Sequence, residues 1–248
     1  IIKTIFKKIS FHPFFYLTLI LMVVTGNFNK FFIFFSIIIF HELGHILGGV
    51  YYKWKIDKIV VLPFGGLTIF NEDINKPLKE EFIICILGPL FQTIYYLLVK
   101  DIIDIKIIHY NLLIFNLLPI FPLDGSKIFN IIFNKLFSFK ISLYLTNIIS
   151  FAIIIGLSLS KKFNLLFILS MFFLLIKNIK EIKRIKFIFN KFLLERYFKF
   201  YNFKKSKTIF DLKLRKMKRD YRHLFFIENK YVTEREILKK TFDLNSFL

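Results

Sequence analysis

The stretch FFIFFSIIIFHELGH, at residues 31–45, runs from an apolar segment directly into two histidines and a glutamate. Further apolar residues follow as far as residue 52. The whole run matches the about 20 helical residues that are needed to cross the hydrocarbon core of a bilayer. It therefore predicts a membrane-spanning helix with ionisable groups, which are costly in lipid and are functional candidates by default.

Other apolar runs are long enough, or nearly long enough, to cross a membrane. The chain of 248 residues is 56% hydrophobic, above the roughly 45–50% of soluble domains, and its 36 phenylalanines exclude a disordered chain. No cleavage site of small residues follows the first run, so we do not expect a signal peptide there. We predict six transmembrane helices, at 11–26, 31–52, 82–99, 107–123, 141–160 and 163–176.

The distribution of lysine predicts the orientation of these helices. If the N-terminus is cytoplasmic, the cytoplasmic segments before the tail carry 11 lysines and the outside loops carry 5. The positive-inside rule therefore places both termini in the cytoplasm. We expect a multi-pass integral membrane protein.

The net charge of +20 lies mostly in the C-terminal part of the chain. From Lys177 onward there are 21 basic and 8 acidic residues. We interpret this charge as a cytoplasmic tail beside anionic lipid, because no motif that reads a nucleic-acid groove accompanies it. Nucleic acid is therefore not an expected partner.

One segment breaks the helical pattern, at residues 59–70 (IVVLPFGGLTIF). Two short β-prone runs flank Gly65 and Gly66, which predicts a hairpin with its turn at the glycines. The segment is too apolar for a solvated loop, and an open strand edge is not tolerated in lipid, so it should lie at the membrane interface or line a cavity. Two interpretations stay open: an ordinary packed hairpin, or an edge that pairs with an extended substrate.

The motif His41-Glu42-Leu43-Gly44-His45 has the H-E-x-x-H pattern. On a helix the two histidines lie one turn apart on one face, so both imidazoles can reach one Zn²⁺. Glu42 lies beside them and can act as a general base. The alternative is a helix end with interfacial histidines.

A catalytic zinc usually has three protein ligands, and Asp124 is the best candidate for the third. It follows Pro119 and Pro122 at the end of an otherwise apolar span, where the prolines should break the helix and free backbone groups. Asn116, in the same span, can act near a developing oxyanion. Asp124 and the glycine after it could also form a simple turn at a helix end, but the companion H-E-x-x-H motif favours metal binding.

The H-E-x-x-H motif, together with the later NLLPIFPLDG at residues 116–125, resembles the two signatures of the site-2 protease family of intramembrane zinc metalloproteases, peptidase family M50. The FGG of residues 64–66 and the LGPL of residues 87–90 are similar to its sporulation subgroup, whose members process a pro-sigma factor. The likeness covers roughly residues 1–197.

The resemblance implies a function for each of these residues. His41, His45 and Asp124 would bind one zinc ion per chain, and Glu42 would be the catalytic base. Asn116 and Pro122 would line the substrate cleft, and the hairpin residues Phe64, Gly65 and Gly66 complete the candidate substrate-binding set. The substrate would be a membrane-associated pro-sigma-factor-like protein. Inhibitory membrane proteins and a homo-oligomer are further partners that this likeness allows.

The C-terminal part predicts a different architecture. We divide the chain into a six-span protease domain at 1–178, a basic linker at 179–205 and a small α+β cytoplasmic tail at 206–248. Residues 223–241 predict a strand, a turn at Glu228-Asn229, a second strand and a helix. This order resembles the second half of a CBS module, which implies that the tail binds ATP, although the tail is short for a whole module.

The sequence thus predicts an α-helical membrane enzyme that hydrolyses a peptide bond within or next to the membrane. A zinc transporter could use the same ligands for transit, but it would not need a base beside the first histidine. A catalytically silent membrane scaffold is the second alternative, although such a relative would be expected to have lost Glu42 first.

Overall fold

The computed structural model describes residues 7–62, 65–159 and 165–244. In this part the chain is mostly helical and contains two three-stranded sheets. The helices are α1 (Pro13–Val24), α2 (Phe28–Tyr51), α3 (Leu78–Leu98), α4 (Ile105–Leu117), α5 (Asp124–Leu136), α6 (Phe139–Ser158), α7 (Leu165–Phe198) and α8 (Glu234–Leu244). The strands are β1 (Ile9–Phe11), β2 (Ile56–Leu62), β3 (Gly65–Phe70), β4 (Lys205–Ile209), β5 (Tyr221–Ile227) and β6 (Lys230–Thr233).

Three of these helices, α2, α3 and α6, are long and apolar enough to cross a membrane. They have 24, 21 and 20 residues and correspond to the predicted spans 31–52, 82–99 and 141–160. The apolar helices α1 and α4 are shorter, and residues 165–176 of the predicted span 163–176 form the first part of the 34-residue helix α7. The first two residues of that span lie outside the described residues. Three spans are therefore confirmed by length and composition, and the full set of six stays a prediction.

The predicted break near Pro119 and Pro122 is confirmed. Helix α4 ends at Leu117, and α5 begins at Asp124. Ser150 of α6 holds the connection between them, because its Oγ donates to Pro119 O at 2.9 Å and accepts from Phe121 N at 3.1 Å. The prolines cannot continue the helix, and this clamp satisfies backbone groups that they leave free.

The first sheet has the strand order β1-β2-β3, with β1 parallel and β3 antiparallel to β2. The hairpin of β2 and β3 is confirmed, but the predicted turn at the two glycines is wrong. Gly65 and Gly66 belong to β3, where they pair with Leu62 and Val61. Glycine is used here for close packing rather than for a turn, because a Cβ on Gly66 would collide with the carboxylate of Glu42.

The C-terminal part forms a second sheet, in which β4 pairs parallel to β5 and β5 pairs antiparallel to β6. The turn at Glu228 and Asn229 has positive φ at both residues, as a two-residue hairpin requires. The strand, turn, strand and helix expected after residue 223 are therefore present. Helix α7 runs through residue 178 without a break, and the division into three segments and the likeness to a CBS module stay predictions.

The tail packs against the helical part of the chain through a shared apolar core. Phe139 of α6 and Phe192 of α7 belong to the same buried cluster as Met217, Phe225 and Leu238 of the tail. Other contacts between the two parts are polar: Arg219 pairs with Glu81 at 2.8 Å, and Phe139 N donates to Met217 O at 2.9 Å. The tail is thus held close to the beginnings of α3 and α6.

Candidate metal centre

Helix α2 places the H-E-x-x-H residues in the interior of the molecule. His41, Glu42 and His45 are 3%, 5% and 3% exposed. Their nitrogen and oxygen atoms that could bind a metal lie within 4.8 Å of one another. The spacing of four residues brings both imidazoles to one side of the helix, as the sequence predicts.

Asp124, the first residue of α5, completes a cluster with the two histidines. Its Oδ2 lies 2.9 Å from His41 Nε2 and 2.8 Å from His45 Nε2, and the two Nε2 atoms are 3.1 Å apart. We call His41, His45 and Asp124 the ligand cluster. The break between α4 and α5 is what turns this carboxylate towards α2.

The hydrogen-bond partner of Nδ1 in each histidine shows which of the two ring nitrogens carries the proton. His45 Nδ1 lies 2.8 Å from the carbonyl oxygen of Ile84, which can only accept, so Nδ1 is the donor. His41 Nδ1 lies 2.8 Å from Gln92 Oε1, and the amide of Gln92 is oriented by its own donation to His109 O at 3.1 Å. Both Nε2 atoms of the neutral imidazoles therefore direct lone pairs at the ligand cluster.

This arrangement fits a metal cation. Two nitrogen lone pairs and a carboxylate oxygen converge on one point, and such a group repels itself unless a positive charge joins it. Two imidazoles and one carboxylate, with the histidines oriented by hydrogen bonds from their second nitrogens, form a ligand set typical of catalytic zinc.

The two carboxylate oxygens of Glu42 differ in their hydrogen bonding. Thr68 of β3 donates to its Oε2 at 2.5 Å. Its Oε1 is buried and has no hydrogen-bond partner among the described residues. A buried acceptor without a donor is uncommon, and beside a metal cluster it is suited to receive a proton.

Glycines allow the close packing of this centre. A Cβ on Gly88 of α3 would collide with His45 Nε2 and lie 3.0 Å from His41 Nε2. A Cβ on Gly44 would lie 2.9 Å from Gly88 N and would overlap the carbonyl group of Leu87. Helices α2 and α3 therefore approach each other closely at Gly44 and Gly88, next to the two histidines. This close approach explains the glycine in the LGPL segment.

The predicted substrate residues lie on two sides of the centre. Asn116 is 5% exposed, and its Oδ1 lies 3.1 Å from the position that a Cβ on Gly65 would take. Pro122 lines a cavity of about 550 Å³ together with His45 and Thr68. Gly66 contacts Glu42, as described above. Phe64 falls outside the described residues.

The same cavity is bordered by β3, which is the last strand of its sheet. Leu67, Thr68, Ile69 and Phe70 of this strand contribute to its wall. On its other side β3 has no strand partner among the described residues. A strand edge therefore faces the space beside the ligand cluster, which we call the cleft.

Three residues at this centre were not among the predictions. Gln92 orients His41, Thr68 holds Glu42, and Lys127 donates to Asp124 Oδ1 at 2.9 Å. Gln92 carries a signal that could have been used, since a polar residue inside an apolar span usually has a function. Thr68 and Lys127 carry none, because threonine is common in strands and lysine is common near helix ends.

Comparisons with known proteins identify the family to which the chain belongs. The model of peptidase family M50 matches residues 30–104. The chain is 33% identical to stage IV sporulation protein FB of Bacillus subtilis in an alignment of 210 residues, which covers 77% of this chain and 72% of that protein. It is 35% identical to a zinc metalloprotease of Methanocaldococcus jannaschii in an alignment of 123 residues, which covers 44% of this chain and 35% of that protein.

A solved structure is similar in fold. The site-2 protease of Methanocaldococcus jannaschii matches with a TM-score of 0.55 and 24% identity, over 70% of this chain and 89% of that chain. The match to the Bacillus protein is above 30% identity and extends over more than two thirds of that protein. The chain therefore belongs to peptidase family M50 and is a membrane metalloprotease.

Proposed function

We propose that this protein is a zinc-dependent endopeptidase that cuts a protein substrate within or next to the membrane. The observation that supports it most directly is the convergence of His41 Nε2, His45 Nε2 and Asp124 Oδ2 beside the available oxygen of Glu42. These three residues would hold one zinc ion per chain. A bound zinc would polarise the scissile carbonyl and lower the pKa of the attacking water.

Glu42 is the proposed general base. Its Oε1 takes a proton from the attacking water and later delivers it to the leaving amine, while the Thr68 hydroxyl holds Oε2 in place. Gly66 lets the backbone of β3 come up against this carboxylate. The substrate therefore lies along the open edge of β3, next to the base.

The substrate binds in an extended form. A helix keeps its carbonyl groups in internal hydrogen bonds, so the scissile bond has to be released from helix before it can be attacked. The open edge of β3 offers backbone groups that can pair with such a segment, with Gly65 and Gly66 at its start. Asn116 lies close to Gly65, where its amide can donate to the developing oxyanion. Pro122 forms part of the opposite wall.

The likeness to a sporulation protein suggests the biological setting. The substrate would be a membrane-associated pro-sigma factor that is cut during sporulation, and inhibitory membrane proteins would regulate the reaction. All six predicted spans would cross the inner or forespore membrane, with both termini in the cytoplasm. ATP binding by the tail stays a prediction that is checked by adding ATP to the cleavage reaction.

The proposal is tested by separating metal binding from chemistry. Glu42→Gln keeps the size of the side chain and removes the base, so the purified protein should keep about one zinc per chain and lose cleavage of a co-expressed pro-sigma factor. His41→Ala, His45→Ala and Asp124→Ala should lose both zinc and cleavage, because each removes one of three ligands.

Asp101→Ala is the matched control, since Asp101 is an exposed aspartate in the loop between α3 and α4. It should keep zinc and activity. Normal cleavage by the Glu42→Gln protein would contradict the role of the base. Full zinc content in the Asp124→Ala protein would contradict the third ligand.

A further inference from the structure

Three basic residues of α7 line the cleft together with residues of β3. Lys177, Lys180 and Arg184 of α7 line the same cavity as Thr68 and Phe70 of β3. Their spacing of three and then four residues places them on one face of the helix. A substrate strand on the edge of β3 would therefore lie beside a row of positive charges.

Most other charges in this wall are already paired. Glu81 pairs with Arg219 at 2.8 Å, Lys127 pairs with Asp124 at 2.9 Å, and Arg184 lies 4.0 Å from Glu181. Among the described residues, Lys177 and Lys180 pair with no carboxylate; the ammonium of Lys177 lies 5.3 Å from the ring of Phe173. The cleft therefore has positive charge that its own residues leave unneutralised.

The position of this charge can be related to the scissile bond. Gly66, near the start of β3, contacts the proposed base Glu42, whereas Phe70 at its end contacts Gly49 and Trp54 near the end of α2. A strand advances about 3.3 Å per residue, so about four substrate residues span the distance from the base to Phe70. The lysines of α7 border this same length of cleft.

We infer that Lys177 and Lys180 select a substrate that carries acidic residues within about five positions of the scissile bond, on the side that extends along β3 towards Phe70. This inference rests on the proposed function, because it assumes that the cleft holds the substrate. The ligand class is an acidic, extended peptide segment next to an apolar one. The alternative role for these lysines is contact with lipid headgroups, which would be insensitive to substrate charge.

The test uses the full chain loaded with zinc and four decapeptides with the same six apolar central residues. Two peptides carry a pair of aspartates at one end or the other, and two carry lysines at the same places. Binding is measured by fluorescence anisotropy on the Glu42→Gln protein, and cleavage is measured on the protein with Glu42 intact. At one of the two ends, aspartate should be favoured over lysine on the order of fivefold, as expected for two partly exposed ion pairs. The preference should shrink at 0.5 M salt.

Variants of α7 locate the effect. Lys177→Glu with Lys180→Glu should remove or invert the preference, and the milder Lys177→Gln with Lys180→Gln should remove it, in proteins that keep their zinc. Lys183→Glu with Lys186→Glu is the matched control, because these exposed lysines are on the same helix but do not line the cleft. The control should keep the preference.

Two outcomes would overturn the inference. One is equal binding of the acidic and basic peptides, and the other is an equal loss of preference in the control variant. If the acidic peptides bind preferentially but no peptide is cleaved, the charge selection stands and the proposed proteolytic function fails.

Discussion

Two clusters of buried polar groups differ in how their hydrogen bonds and charges are satisfied. The first is the ligand cluster of His41, His45 and Asp124. The second, which we call the Arg196 cluster, joins Arg196 of α7 to Glu234 and Asn75, and Glu234 in turn to His223, at the contact of the tail with the segment before α3. Both contain histidine and carboxylate, and all the residues except Glu234 are less than 9% exposed.

The Arg196 cluster is satisfied by hydrogen-bond partners within the chain. Arg196 donates to Glu234 Oε1 at 3.0 Å, to Asn75 Oδ1 at 2.6 Å and to Lys218 O at 3.0 Å. His223 Nε2 accepts from Lys218 N at 3.0 Å, and its Nδ1 lies 3.1 Å from Glu234 Oε2. Donors face acceptors and the opposite charges meet, so the cluster needs nothing from outside the chain.

The ligand cluster has the opposite character. Three lone-pair atoms meet within 3.1 Å, and the hydrogens on the histidine rings point away from them, to Gln92 and Ile84. Buried polar groups are normally paired, so a convergence of acceptors is suited to hold a cation. In this molecule the pairing of a buried cluster, and not its composition, separates a structural contact from a candidate metal centre.

The largest effect that we predict is on the Arg196 cluster. Arg196→Met should destabilise the tail by about 3–5 kcal/mol, because the variant leaves Glu234 buried without its cation. The free energy of local opening, measured by hydrogen exchange of β5 amides, reports this loss. The zinc content should stay unchanged.

Lys199→Met is the control for this prediction. Lys199 pairs with Asp73 at 2.6 Å but is 55% exposed, and exposed pairs contribute little to stability. Unchanged hydrogen exchange in the Arg196→Met protein would show that the cluster does not hold the tail. A loss of zinc in that protein would show that the two clusters are coupled.

The second prediction concerns Gln92, which contacts the ligand cluster through His41. Gln92→Met removes the acceptor for His41 Nδ1 and should weaken zinc affinity by about 10–100-fold, as is typical for a lost outer-shell hydrogen bond. Competition with a zinc chelator measures this change. Thr93→Val, one residue away on α3, is the control, since the Thr93 hydroxyl donates to Pro89 O within the same helix and does not reach the histidines. Equal affinities in the two variants would contradict the role of Gln92.

The third prediction concerns the base. Thr68→Val should lower kcat about tenfold, because Glu42 loses the hydrogen bond that fixes Oε2, and hydrogen bonds to charged groups contribute about 1.5–3 kcal/mol. Thr68→Ser keeps the hydroxyl and should restore most of the activity. Zinc content should be the same in both proteins. If valine and serine lowered kcat equally, the methyl group of Thr68 rather than its hydroxyl would be important.

The sequence predicts which residues lie together most directly where those residues are close to one another along the chain. His41, Glu42 and His45 lie within one helical turn, so their spacing alone places them together. Asp124 is 83 residues away from His41, and its selection depended on the proline break and on the companion H-E-x-x-H motif. The prolines could be interpreted because proline cannot continue a helix in any context.

Other features depended on contacts between distant segments. The sequence predicts a turn at the two glycines of β3 because glycine is a common turn residue. In the structure, Gly66 is needed because a side chain there would collide with the carboxylate of Glu42 on α2. Thr68 also contacts Glu42 because β3 packs against α2, and no spacing in the sequence predicts that contact. The three shorter predicted spans illustrate a further limit, since hydropathy measures an apolar run and not the helix that contains it. The predicted span 163–176 is the clearest case, because the helix that contains residues 165–176 continues into a basic segment.

The smallest effect that we predict is a dependence of tail stability on pH, through His223. Burial lowers the pKa of His223; Glu234 opposes this shift and Arg196 adds to it. The geometry requires a neutral ring, because Nε2 accepts from the amide of Lys218. Burial alone would raise the pKa of Glu234, but His223 and Arg196 hold it below its usual value, so Glu234 stays ionised above pH 5 in both states.

The sign of the effect follows from these pKa values. In the unfolded tail His223 takes up a proton near pH 6.5, whereas the folded tail resists it, so the opening free energy should fall as the pH drops below about 6.5. The slope cannot exceed about 1.4 kcal/mol per pH unit for one group. Hydrogen exchange of β5, corrected for the intrinsic pH dependence of exchange, measures it between pH 7 and pH 5. His223→Gln keeps polar atoms at this position but cannot titrate, so its profile should be flat over the same range, and an equal slope in the two proteins would place the titrating group elsewhere.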